Sequence, residues 1–176
     1  QVDTIPSHPT SPWVKVASTL STKEHFELCR QHLNPGGIVT QWVPLYESNL
    51  AVVKSEIATF FNVFPHGTVC SNDDEGLGYD VVLLGQADPL KIDPAQIQHR
   101  SDGNSSAAQS LNHVGFQSAY DLLLTYAGQG SDLAPWLERA EINHDRDLRL
   151  QYLAGMGVNN NQEGLIFEDM LLYRRF

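Results

Sequence analysis

Gly37-Ile-Val-Thr-Gln-Trp-Val43 is the stretch on which the reading of the whole chain turns. Nearly every residue in it is apolar or β-branched, the pattern of a strand buried on both faces. Just upstream, Asn34-Pro35-Gly36-Gly37 stops a helix, because proline cannot continue one and glycine accepts a left-handed turn. That helix opens at Ser21-x-x-Glu24, which has the form of a capping box, and carries Phe26, Cys29 and Leu33 at helical spacing. Downstream, Pro44-Leu45-Tyr46-Glu47-Ser48 is a loop at the strand's carboxyl end. A second helix follows from about Asn49 to Phe61, with Leu50, Val53, Ile57, Phe60 and Phe64 marking its buried stripe.

Further outward, Val2-Asp3-Thr4-Ile5 reads as a short strand, and the prolines of Pro6-Ser7-His8-Pro9-Thr10-Ser11-Pro12-Trp13 stiffen the loop after it. Segments near Thr68–Ser71 and Tyr79–Gly85 read as strands joined by the turn-rich Asn72-Asp-Asp-Glu-Gly-Leu-Gly78, so they pair antiparallel. Strand, helix, strand, helix and a closing hairpin make an α/β pattern with a mixed sheet of about four strands. Past Asp88-Pro89 the character changes, which divides the chain into residues 1–90 and a helical extension and tail over 91–176. In the second part Ser101–Ser110 reads as a loop. Gln117–Ala127 and Ser131–Ala140 read as helices, the latter with Pro135 in its first turn, and Gly164–Phe176 as a terminal helix.

The 176 residues include 21 acidic and 11 basic side chains, a net charge of −10 that repels phosphate backbones and argues against nucleic acid as the main partner. The same charge suits a small cationic ligand. The longest apolar runs, such as Val81-Val-Leu-Leu84, fall far short of the ~20 residues that span a bilayer. No leader is recognisable and Cys29 and Cys70 form no CxxC pair, so the expected compartment is the reducing cytoplasm, with no membrane association.

The order of elements and the words at their ends resemble the spermidine/spermine synthase family, most of all its larger fused bacterial members. The resemblance is carried by Ser11-Pro12-Trp13-Val14, Leu33-Asn-Pro-Gly-Gly37, Gln41-Trp-Val-Pro-Leu-Tyr46, Phe61-x-x-Phe64-Pro65-His66 and Tyr79-Asp-Val-Val-Leu-Leu-Gly85. Ile142-Asn-His-Asp-Arg-Asp-Leu-Arg-Leu-Gln-Tyr152 is similar to a stretch those members carry near their ends. The match covers residues 1–90 well and 118–153 loosely. It implies the carboxyl-terminal half of a Rossmann-like sheet of the class I methyltransferase type. It also implies aminopropyl transfer to a diamine, with decarboxylated S-adenosylmethionine as a co-substrate; no tightly bound cofactor and no metal are expected. The family's glycine-rich nucleotide loop has no counterpart, since Gly76-Leu77-Gly78 lies in a hairpin. An incomplete enzyme, inactive alone, is therefore one expectation. The alternative is a non-catalytic protein that keeps the scaffold for association or ligand binding.

Aminopropyl transfer needs a neutral amine to attack carbon beside a sulfonium, so a base must take a proton. Aligning on Pro12-Trp13 places His8 at the family's acidic position and Ser11 at the second polar one. An imidazole serves as a base near neutral pH, although once protonated it cannot anchor an ammonium. Gln41 stands where the family turns a side chain to the amine, and Trp13, Trp42 and Tyr46 are the candidates to wall a polymethylene channel or stack on a cation. Asp73, Asp74 and Glu75 read as a solvated hairpin tip, or as an acidic rim for polyamines. His25, Cys29 and His32 share a helix face, but its outer two lie ~10 Å apart along the axis, too far for one metal ion to join all three. The strand at residues 2–5 is expected to have an open edge, covered by a second copy, by a partner chain or by the tail Gly155–Phe176.

Overall fold

β1 (Val2–Ser7) and β2 (Leu33–Pro44) run parallel, joined by a 3-10 turn (Ala17–Ser21) and helix α1 (Lys23–His32). The computed structural model describes residues 1–7, 17–46, 48–72, 78–89, 92–155 and 162–175. α1 is capped at Thr22, whose hydroxyl accepts from the His25 N–H, one residue later than the capping box places it. β2 starts earlier than its apolar run predicts. It pairs Leu33 with Val2 and then slips to Ile38 with Thr4, so Asn34–Gly37 is an irregularity within the strand, with Gly36 at φ 76°.

α2 (Leu50–Val63) packs across β2 and the hairpin of β3 (Thr68–Asn72) and β4 (Asp80–Gly85). β4 returns antiparallel to lie between β2 and β3, and β3 pairs antiparallel on its far side with β5 (Tyr126–Gln129). The sheet order is therefore β1-β2-β4-β3-β5, an α/β mixed sheet of five strands. Two parallel neighbours and a reversed hairpin are the elements that the sequence pattern predicts; β5 is an addition. The segment predicted as one helix over Gln117–Ala127 breaks after α5 (Ala119–Leu124). Tyr126–Gln129 instead completes the ladder along β3, whose own groups would otherwise be left unpaired.

Two further expectations change in the second half. Ser101–Ser110, expected as a loop, belongs mostly to α3 (Pro94–Asp102) and α4 (Ser105–His113). The side chains of Asp93 and Asn104 accept first-turn N–H groups and so start each helix, although neither helix buries a residue. α6 (Gly130–Leu137) begins one residue earlier than expected and carries Pro135 in its second turn rather than its first. α7 (Arg149–Gly155) and α8 (Glu163–Leu171) end the described chain. α8 inserts Ile166, Phe167 and Met170 into the same core as Phe60, Phe64 and Val69, and Arg174 beyond it donates to the Tyr126 carbonyl. The described part of the tail, residues 162–175, thus lies at the β5 end of the sheet, with no pairing to β1 among the described residues. Val2, Asp3 and Thr4 stay exposed, and β1 pairs only with β2 among the described residues. No helix among those residues is long and apolar enough to cross a membrane.

α2 is buried almost all round rather than along one stripe, although Leu50 at its start is exposed. Its aromatic residues meet the sheet where β4 ends. A Cβ on Gly85 would stand 2.6 Å from Phe64 Cγ and 2.7 Å from Phe60 Cζ. Gly85→Ala is expected to lower stability by about 1–3 kcal/mol through overpacking. The check is a lower urea midpoint with an unchanged denaturant slope.

Candidate functional site

Alternation along β2 sends consecutive residues to opposite faces of the sheet, and each face has a distinct environment. Val39, Gln41 and Val43 point toward α1 and α2, together with Val81 and Leu83 of β4. Ile38, Trp42, Val82 and Leu84 form the floor of a groove of about 840 Å³ on the other face. Its wall comes from the second half of the chain, with Ile97 of α3, Phe116 between α4 and α5, and Leu123 of α5.

At the carboxyl end of β2 the groove meets Asp80. Register puts Asp80 opposite Pro44 on one side and Asn72 on the other. Its side chain lines the groove, the residue is only 4% exposed, and Oδ1 has no hydrogen-bond partner among the described residues. A buried acceptor left unpaired is costly, of order 1–3 kcal/mol and more when charged. An apolar groove ending in such an oxygen is complementary to a donor on an apolar body. Aromatic rings continue from the same end: Trp42 and Tyr46 lie 6.1 Å apart between centroids, and Tyr46 stacks on Tyr79 at 4.5 Å. Arg100 borders the groove as well, exposed and without an ion pair among the described residues.

The opposite face holds a sealed polar cluster. Gln41 is fully buried, and its Nε2 donates to Glu56 Oε1 at 3.1 Å, to Ser21 Oγ at 3.3 Å and to the Trp42 carbonyl at 3.3 Å. Ser21 Oγ donates to the same Glu56 oxygen at 3.1 Å. Burial pushes the Glu56 carboxyl up to about 7, against the smaller downward pull of the hydrogen bonds from Gln41 and Ser21. Asn143 closes the cluster from above: its Nδ2 donates to the carbonyls of Ser18 and Ser21, and its Oδ1 accepts from the Leu150 N–H.

The structure therefore separates two residues that the sequence groups together. Trp42 faces the groove, whereas Gln41 is turned into the core toward Glu56. Tyr46 sits with Trp42. His8, Ser11 and Trp13 lie outside the described residues, as do Asp73, Asp74 and Glu75. His25 and Cys29 are in contact through Nε2 and Sγ at 3.4 Å, while His32 Nδ1 pairs with the Leu28 carbonyl. No metal-binding group of His, Cys, Asp or Glu forms among the described residues.

Asp80 and Glu56 are the functional candidates that the sequence reading passes over. Each carried a signal. Asp80 is an acid at the onset of an otherwise apolar strand, and Glu56 lies between Val53 and Ile57 at positions that a helix places with its buried residues.

No protein-family model and no curated protein sequence matches the chain. A search of solved structures finds similarity to a probable spermidine synthase from Corynebacterium glutamicum ATCC 13032, with a TM-score of 0.51 and 21% identity. The match covers 81% of this chain and 47% of that one, so this chain spans about half the length of the protein it resembles. The likeness is one of fold: a mixed α/β sheet of the methyltransferase-like kind, on a spermidine synthase-like scaffold.

Proposed function

We propose that this scaffold binds a small diamine in support of aminopropyl transfer, as a spermidine synthase-like protein. The observation that carries the reading is the Asp80 oxygen without a partner among the described residues, at the end of the groove and buried near Trp42 at the carboxyl end of β2. In open α/β sheets that end is where ligands bind. One ammonium of the diamine pairs with Asp80, and its methylene chain lies over Trp42 and Val82.

The other amine must be neutral to react. Its lone pair attacks the carbon beside the sulfonium of decarboxylated S-adenosylmethionine, the S–C bond breaks, a thioether leaves, and the new ammonium gives up a proton. His8 is the residue proposed to take that proton, and Ser11 and Trp13 are proposed as substrate-binding residues with it. Holding the protonated end at Asp80 fixes which amine is free to react, so the carboxylate orients the nucleophile without touching the reacting atoms.

Titration calorimetry with putrescine tests the reading. A charge-assisted hydrogen bond is worth about 1.5–3 kcal/mol, so Asp80→Asn is expected to weaken binding roughly 10- to 100-fold. The same substitution should raise the melting temperature of the ligand-free protein, because it removes an unpaired buried acceptor's charge. No heat with putrescine, or equal affinity in wild type and Asp80→Asn, overturns the assignment. If Arg100→Gln reproduces the loss of affinity, Arg100 shapes the site. If it leaves affinity unchanged, the pairing belongs to Asp80 alone.

A further inference from the structure

A second cavity, of about 540 Å³, lies over β3 and β5. Register places Thr68 opposite Leu84 on one side and Gln129 on the other, so this cavity shares a face of the sheet with the groove. Ile92 and Leu123 line both spaces and divide them. Tyr120, Leu123 and Leu124 of α5 form one apolar side of the cavity, and the ring of Tyr126 forms another. Tyr120 and Leu124 are 68% and 79% exposed, so much of this apolar surface is left to solvent by the described residues. The volume falls within the range of about 300–1,000 Å³ that small-molecule sites occupy.

The polar part of the lining is basic. Arg175 and His66 belong to it, and no acidic side chain does among the described residues. Neither of the two takes part in a hydrogen bond or ion pair there. Their neighbours are already committed: Arg174 donates to the Tyr126 carbonyl, and the Tyr126 hydroxyl donates to Asp132 at 3.1 Å. Thr68 is 5% exposed, and its Oγ1 has no partner among the described residues. In a chain of net charge −10, a free guanidinium and imidazole beside apolar surface reverse the local sign. We propose that this cavity binds a small organic carboxylate with an apolar body, the carboxylate facing Arg175 and His66 and the body lying against Tyr120, Tyr126 and the leucines of α5.

Each half of the lining rules out a simpler ligand. An inorganic anion would meet Arg175 but leave the tyrosines and leucines uncovered. A neutral apolar molecule would cover them and strip water from the guanidinium without replacing it, which is unfavourable. An amine with the same body would be repelled by Arg175. A carboxylate accepts from the guanidinium fork through both its oxygens, a geometry that a single acceptor does not match. The imidazole of His66 offers it an N–H in either tautomer. The site shares no charged residue with the groove that ends at Asp80, so it does not depend on the diamine reading.

Titration of the full chain with 3-phenylpropionate, followed by amide NMR, tests the assignment. Saturable shifts are expected at Gly67, Thr68, Tyr126 and Gln129, with much smaller ones at Ile38 and Trp42 in the groove. 3-Phenylpropylamine, which has the same ring and the opposite charge, and inorganic phosphate should leave the first set unmoved. Arg175→Gln is expected to weaken binding about tenfold, the low end for a charge-assisted bond, because the guanidinium is exposed to water. Arg175 lies past the end of α8, so the ligand-free spectrum of the variant should match wild type elsewhere. Shifts that fail to saturate, or that centre on Ile38, Trp42 and Arg100, overturn the proposal. So does equal binding of the amine in this cavity, or an affinity for 3-phenylpropionate that Arg175→Gln leaves unchanged.

Discussion

Wild-type protein is expected to lose stability as the pH rises from 4.5 to about 7, the range between the ordinary carboxyl value and the raised value of Glu56. Over that range the folded state holds the Glu56 proton and the unfolded state has released it, so the folded state binds more protons and stability falls with pH. The contribution is complete below 4.5 and gone once the pH passes about 7. With 1.36 kcal/mol for each pH unit of displacement, the loss is on the order of 3 kcal/mol. His25 works in the other direction. Burial lowers its titration, against a small upward pull from Asp145, so its neutral form favours folding increasingly as the pH climbs through the ordinary histidine range. A raw pH profile mixes the two. The difference between wild type and Glu56→Gln isolates the first, and urea midpoints measured at several pH values provide it. Glu56→Gln should be the more stable protein above neutrality and close to wild type in acid. A difference that does not change with pH would show that the carboxyl group carries no displaced proton.

The second large effect belongs to Phe60. Its ring meets Phe26 edge-on at 5.1 Å, Phe64 at 5.0 Å and Phe61 at 6.0 Å, and it is wholly buried against the end of β4. Phe60→Ala removes the transfer energy of a large ring and leaves a cavity that its aromatic neighbours cannot all close. The expected cost is about 3–5 kcal/mol, a large share of the 5–15 kcal/mol that holds a typical domain together. Phe60→Leu, which fills more of the space, should lose much less. Denaturant unfolding of the pair checks this, and equal losses would mean that the ring's shape rather than its volume is what the site uses.

The first half of the fold was legible because its signals are local. A β-branched run, a proline–glycine stop and a turn-rich connector each act within a few residues, and together they place β1 to β4, α1 and α2 in order. β5 was not legible: Tyr126-Ala-Gly-Gln129 has no strand pattern of its own and becomes a strand only because β3 offers unpaired groups. α3 and α4 were missed because a polar, small-residue stretch resembles a loop until Asp93 and Asn104 are seen to cap it. The site divides in the same way. Sequence position brought Gln41 and Trp42 together, while the two-residue period of a strand sends them to opposite faces. Asp80 could be seen as an odd acid at the start of a strand. That its oxygen lacks a partner among the described residues depends on Asn72, Pro44 and the second-half helices, which no local pattern brings together.

Asn143 has a consequence for how the chain assembles. Its bonds to the Ser18 and Ser21 carbonyls span 125 and 122 positions, and it also ties in Thr59 and Leu150. Closing so long a loop costs entropy before any contact offsets it. Contacts of this separation slow folding, so the sheet and α2 should form while the early 3-10 turn is still waiting for its donors. A nascent chain can order its first strands as they emerge, yet it must hold the backbone around Ser21 unfinished until residues past 143 arrive. This asparagine is the clasp fastened last.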